Sequence, residues 1–161
     1  MASAFGTGPE PGKVQVLHPG DVAIGRRGDR LETLLGSCVA VILTDPRRTV
    51  GAMCHIVHSG SPPSNGDTTA HAEPAMEAMF GLLHGCGINP LMCEAYVFGG
   101  GNMFPTLIKQ SHVGDNNAQW ALDILADLGI RLITQDVGGT TYRRIRWTVG
   151  LDAPEVDAVQ V

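Results

Sequence analysis

The sequence predicts a layered α+β domain built around at least one mixed sheet. Three observations carry that expectation. Short apolar runs rich in β-branched residues, bounded by glycine, proline or aspartate, outnumber the helical patterns. The early runs follow one another closely, as hairpin neighbours do, whereas two amphipathic stretches fall among the later ones. With 43% hydrophobic residues, a chain of 161 residues can bury one packed core.

Met1 to Gly12 is rich in glycine, proline, alanine and serine without an apolar period, and is expected to be flexible, which leaves residues 13–150 as the folded unit. Strands are expected near Val14 to Leu17, Asp21 to Ile24, Val39 to Leu43 and Val50 to Val57. Ser59 to Ala70, with Pro62-Pro63 and Asn65-Gly66, reads as a long polar loop. It leads into a helix over Ala72 to His84, where Met76, Met79, Phe80 and Leu83 share one face, Pro74 sits in the first turn, and Gly85 and Gly87 provide the stop. A strand near Cys93 to Phe98 precedes a second helix over Asn117 to Leu128, striped by Ala121, Ile124, Leu125 and Leu128 and ended by Gly129. Strands near Arg131 to Thr134 and Arg144 to Val149 follow, with Arg143-Arg144-Ile145-Arg146 expected as an exposed strand face. Leu151 to Val161 combines Pro154 with acidic residues and is expected to form a tail outside the core.

Composition narrows the function. A net charge of -5, from 11 Lys+Arg against 16 Asp+Glu, offers no basic surface for phosphates and argues against nucleic acid as the main partner. The longest purely apolar run, Val39 to Leu43, is far shorter than a bilayer requires, so no membrane insertion is expected. The N-terminus lacks a basic segment followed by an apolar stretch, which points to a cytoplasmic location. Cys38, Cys54, Cys86 and Cys93 are expected to be reduced thiols; they contain no Cys-x-x-Cys pair, and His55, His58 and His84 complete no zinc pattern. No metal or cofactor is expected. Gly99-Gly100-Gly101-Asn102 follows a strand but is not a dinucleotide fingerprint, because Met103-Phe104-Pro105 stands where a further glycine and a helix start are needed.

The chemistry concentrates at Cys38 and His55. Cys38 lies in Leu35-Gly36-Ser37-Cys38-Val39, where a small-residue turn opens into an apolar strand. Such a cysteine can expose its sulfur while N–H groups of Ser37, Cys38 and Val39 hold an oxyanion, and a histidine on the neighbouring strand can take its proton. An adjacent imidazolium would favour the thiolate, giving a nucleophile poised for a carboxamide carbon. Thr33, Ser37 or a backbone carbonyl could orient the imidazole. Against this stands the plainer alternative that cysteine and histidine simply fill a core. Cys54 should face away from His55, since strand neighbours alternate, and His58 ranks below His55 as a base.

Several uncommon segments occur together and in order: Leu35-Gly36-Ser37-Cys38-Val39, Gly51-Ala52-Met53-Cys54-His55, Phe98-Gly99-Gly100-Gly101-Asn102-Met103-Phe104, Asn116-Asn117, and Asp136-Val137-Gly138-Gly139 followed by Arg143. Over about Val14 to Gly150 the chain resembles the CheD family of chemoreceptor glutamine deamidases. The resemblance implies a three-layer α/β/β sandwich with mixed sheets similar to bacterial toxin deamidases, with Cys38 as nucleophile, His55 as general base and Thr33 as third catalytic residue. It implies deamidation of glutamine side chains on the cytoplasmic part of methyl-accepting chemotaxis receptors, extending to glutamate methyl esters, through a thioester and with release of ammonia. A CheC-type phosphatase is the second partner it implies. The competing expectation is a non-enzymatic adaptor that binds receptor or phosphatase and leaves its cysteine unused.

Overall fold

The structure is a computed structural model that describes residues 12–60, 68–107 and 113–160. Met1 to Pro11 and most of the expected loop after Ser59 lie outside the described residues. In chain order the elements are β1 (Val14–Leu17), β2 (Val22–Arg26), β3 (Arg30–Leu35), β4 (Val39–Thr44), β5 (Val50–Ile56), α1 (Ala72–Gly85), β6 (Glu94–Gly99), α2 (Val113–Asp127), β7 (Arg131–Val137), β8 (Thr141–Thr148) and β9 (Glu155–Gln160). They make two mixed sheets, one in the order β2-β5-β4-β6-β7 and the other β1-β3-β8-β9.

The five-stranded sheet is the middle layer. Every residue of β4 and β5 is buried, because both of its faces are covered; that is why these strands read as continuous apolar runs instead of alternating ones. Val39, Val41, Leu43, Ala52, Cys54 and Ile56 pack under Met79 and Leu83 of α1 and Ala121 and Leu125 of α2. Ala40, Ile42, Met53, Tyr96 and Phe98 face the other way, onto Leu31, Leu35, Ile145 and Trp147 of the second sheet. The two-residue period of a strand thus separates a helix-facing core from an inter-sheet core. No helix among the described residues is long and apolar enough to cross a membrane.

Several expectations are corrected. β3 was not expected as a strand, because Arg30 and Glu32 dilute it; they form an outward ion pair while Leu31, Thr33 and Leu35 point inward. The expected tail contains β9, which pairs along β8 and leans Val156 on the inter-sheet core. Arg143 does not join an exposed face: it turns inward and is 4% exposed. The second helix begins at Val113, ahead of the expected Asn117.

Candidate active site

His55 sits on β5 with its side chain on the same face as Met53, between the two sheets, and is 2% exposed. Ala40 is its cross-strand partner on β4, and Cys38, half-buried against the same inter-sheet core, lies on that face one side chain earlier. Cys38 and His55 are therefore diagonal neighbours across the β4–β5 pair. The β1–β2 turn grips the His55 backbone, which donates to the Asp21 carbonyl at 3.0 Å and accepts from Gly20 N–H at 2.9 Å.

The second sheet delivers Thr33. Its hydroxyl donates to the Leu17 carbonyl at 2.8 Å. That uses its only proton, so at 2.7 Å from His55 Nδ1 the oxygen must accept. The imidazole therefore carries its hydrogen on Nδ1 and leaves Nε2 bare. Nε2 is buried and has no partner among the described residues. No hydrogen bond yet joins it to Cys38 Sγ. Of the three groups the sequence offered to orient the imidazole, Thr33 is the one in contact.

Burial controls the charge state. It pushes His55 down from 6.5 to about 4, with the Asp21 carboxylate acting upward and His18 downward. Burial also raises the Cys38 thiol above its ordinary range. Removing each group from water opposes its charged form, so burial works against the expected thiolate–imidazolium pair. Cys54, as expected, faces the helices, and burial pushes its thiol up to about 12. His58 stands on the loop after β5, its ring 5.0 Å from that of His71.

The Gly99–Asn102 loop shapes the backbone around Cys38. Gly100 N–H donates to the Cys38 carbonyl at 2.9 Å. A regular antiparallel ladder would return a bond from Cys38 N–H to the Gly100 carbonyl, and that bond is absent among the described residues. Gly99 and Gly100 have φ of 111° and 69°, and this left-handed turn carries the Gly100 carbonyl toward α2, where a Cβ on Gly114 would lie 2.6 Å from it. Cys38 N–H is left without a backbone partner among the described residues, at the mouth of β4. Ser37 N–H likewise donates to no described backbone carbonyl, whereas Val39 is already a ladder residue with 0% exposure.

Arg143 locks this loop in place. Its guanidinium donates to the carbonyls of Gly99 at 3.2 Å and Gly138 at 2.8 Å and to the Asp136 carboxylate at 3.2 Å. Gly138 N–H donates to the Gly99 carbonyl at 2.9 Å and Asn102 N–H to that of Gly139 at 2.8 Å, so the two glycine segments form one backbone cluster. On the helix side, Asn117 Nδ2 donates to the carbonyls of Ser37 at 3.2 Å and Val57 at 2.9 Å. The inward roles of Arg143 and Asn117 were missed from sequence; the spacing Arg143, Ile145, Trp147 carried the only signal for the first.

Fold and site together define an α/β/β protein with a cysteine–histidine–threonine constellation at one end of its central sheet. The family model described as CheD chemotactic sensory transduction matches residues 58–151. A relative from Pseudomonas savastanoi pv. phaseolicola, called a probable chemoreceptor glutamine deamidase CheD, is 37% identical over 81% of this chain and 76% of its own. Relatives of the same name from Rhizobium rhizogenes and Jannaschia sp. are 38% and 31% identical, covering 84% and 92% of this chain and 73% and 84% of theirs. The chain belongs to the CheD family. A crystal structure of a Neisseria meningitidis protein superposes with a TM-score of 0.43 and 13% identity over 81% of this chain and 65% of that one, too loosely to bear on function.

Proposed function

We propose that this protein hydrolyses glutamine side-chain amides on the cytoplasmic part of chemoreceptors, with Cys38 as nucleophile, His55 as general base and Thr33 orienting the base. The observation that carries the reading is the Leu17–Thr33–His55 chain of hydrogen bonds, which leaves a bare Nε2 on the face that carries Cys38. In the first step the Cys38 proton passes to Nε2 as sulfur bonds to the amide carbon, and the oxyanion forms against Cys38 N–H, supported by Ser37 N–H. The C–N bond then breaks as His55 returns the proton to the leaving nitrogen, giving ammonia and a thioester. Water, deprotonated by His55, attacks the thioester; the C–S bond breaks and the thiol recovers its proton, leaving glutamate.

The Asp21 charge and the Thr33 oxygen both favour the transient imidazolium. Each deamidation adds a negative charge to the receptor, which changes electrostatics between its helices. A cytoplasmic location follows from such a substrate. Within this reading a CheC-type phosphatase is a second partner, checked by co-purification, and the likeness to toxin deamidases is checked by superposing one on the three layers. The deciding test is intact mass and ammonia release for a receptor cytoplasmic fragment incubated with wild type and with Cys38→Ala. A gain of about one dalton per site with wild type alone supports the mechanism. A fragment that binds but is unchanged sinks it and favours an adaptor.

A further inference from the structure

We infer that Asn117 is a positioning residue for this chemistry: by holding the Ser37 carbonyl it fixes the Ser37–Cys38 peptide plane and so aims Cys38 N–H at the substrate oxygen. The inference rests on the deamidation reading and assigns a role that the reading leaves open.

Asn117 Nδ2 bridges the carbonyls of Ser37 and Val57, one from the lead-in to the Cys38 strand and one from the end of the His55 strand. Both partners are acceptors, so the atom facing them is the NH2 group whichever way the amide was first drawn. In a trans peptide the N–H of Cys38 points opposite to the C=O of Ser37. With the Ser37 carbonyl held toward α2 and the end of β5, Cys38 N–H is directed to the other side, which the Gly100 carbonyl has vacated. The close approach of α2 makes this reach possible. A Cβ on Gly114 would lie 2.6 Å from the Gly100 oxygen and 2.7 Å from the Gly101 oxygen, so glycine there lets the helix sit against the loop with Asn117 a turn further on. Stability alone does not account for the choice of residue. Asn117 is 1% exposed, its Oδ1 has no partner among the described residues, and asparagine is a weak helix former.

The test compares two reactions of the same thiol. Amide hydrolysis of a chemoreceptor cytoplasmic fragment passes through an oxyanion; alkylation of Cys38 by iodoacetamide is a displacement at carbon that does not. For Asn117→Ala, kcat is expected to fall about 100-fold, with KM and alkylation rate within about threefold of wild type. Asn117→Asp keeps the shape, and so serves if the alanine variant does not fold, but sets a carboxylate against two carbonyls. Its kcat relative to wild type is expected to rise as pH falls and the acid regains a proton to donate. Full activity of Asn117→Ala overturns the inference alone, as does a loss of kcat matched by an equal loss of alkylation. A wild type that alkylates but hydrolyses no receptor amide overturns the deamidase reading and this inference with it.

Discussion

Thr33→Val isolates the link between the second sheet and the chemistry. The substitution keeps the β-branched shape on β3 and exchanges one hydroxyl for a methyl, removing the 2.7 Å contact to His55 Nδ1 and the 2.8 Å bond to the Leu17 carbonyl. Two buried groups then lack partners, and at about 1–3 kcal/mol for each unsatisfied group the fold should lose about 2–6 kcal/mol. The imidazole can recover part of this by moving its proton to Nε2, which destroys its competence as a base toward Cys38. If the lost bond had favoured the Nε2-bare tautomer by about 1.5–3 kcal/mol, at 1.4 kcal/mol per tenfold, kcat should fall about 10- to 100-fold. Ammonia release from a receptor fragment measures the rate, imidazole nitrogen chemical shifts report the tautomer, and calorimetry reports stability. Thr33→Ser retains the hydroxyl and is expected within about threefold of wild type. A folded Thr33→Val enzyme with kcat within about twofold of wild type would refute the claim that Thr33 selects the tautomer.

Three further outcomes follow from the same geometry. Gly99→Ala places a Cβ 2.2 Å from the Cys38 carbonyl at a φ of 111°, so it should destabilise the protein by at least about 2 kcal/mol and slow the reaction; denaturant unfolding checks the first effect. Because burial raises the Cys38 thiol, its iodoacetamide reaction should quicken about tenfold per unit from pH 6 to 8, and a plateau there would reveal a preformed thiolate. His55 titrates near 6.5 when unfolded and about 4 when folded, so the unfolded chain takes the proton first. Stability from this group is full above pH 6.5, falls by about 3 kcal/mol as pH drops toward 4, and changes little below. His55→Gln should remove that component, and unfolding curves across this range that match the wild type would contradict it.

The middle layer was legible because buried strands have a strong composition. Val39 to Leu43 and Val50 to Val57 announce themselves as uninterrupted apolar runs, and both helices show a spaced stripe that needs no tertiary information. The outer sheet was harder. β3 buries one face only and β9 half-buries only Val156, and their outward positions carry Arg30, Glu32, Glu155 and Asp157, whose charges mask the alternation until a partner strand is known. The same logic divides the site. Cys38 and His55 could be proposed from local sequence because each sits beside a recognisable turn or run. The contact that selects Thr33, however, crosses between sheets, and Arg143 looks like a surface cation until its inward register on β8 is seen. Asn117 was visible as a motif, but its function depends on how close Gly100 and Gly114 let a helix approach, which no linear spacing encodes.

A thiol and an imidazole whose charged forms burial opposes fit the proposed reaction better than the ion pair expected from sequence. In the resting site burial opposes both charges, so little binding energy goes to stabilising an ionised ground state. In the proposed transition state the proton has moved to Nε2 and negative charge has passed from sulfur to the amide oxygen. The groups placed to meet that change are present beforehand: the Thr33 oxygen at Nδ1, the Asp21 carboxylate acting on His55, and the N–H of Cys38, which has no backbone partner among the described residues. Their interactions grow as charge develops, the condition under which binding accelerates a chemical step. A reactive thiolate would instead be exposed to every passing electrophile. In the proposed mechanism, burial of the pair keeps the sulfur quiet until an amide carbonyl occupies the mouth of β4, where the turned glycine loop leaves Cys38 N–H to receive it.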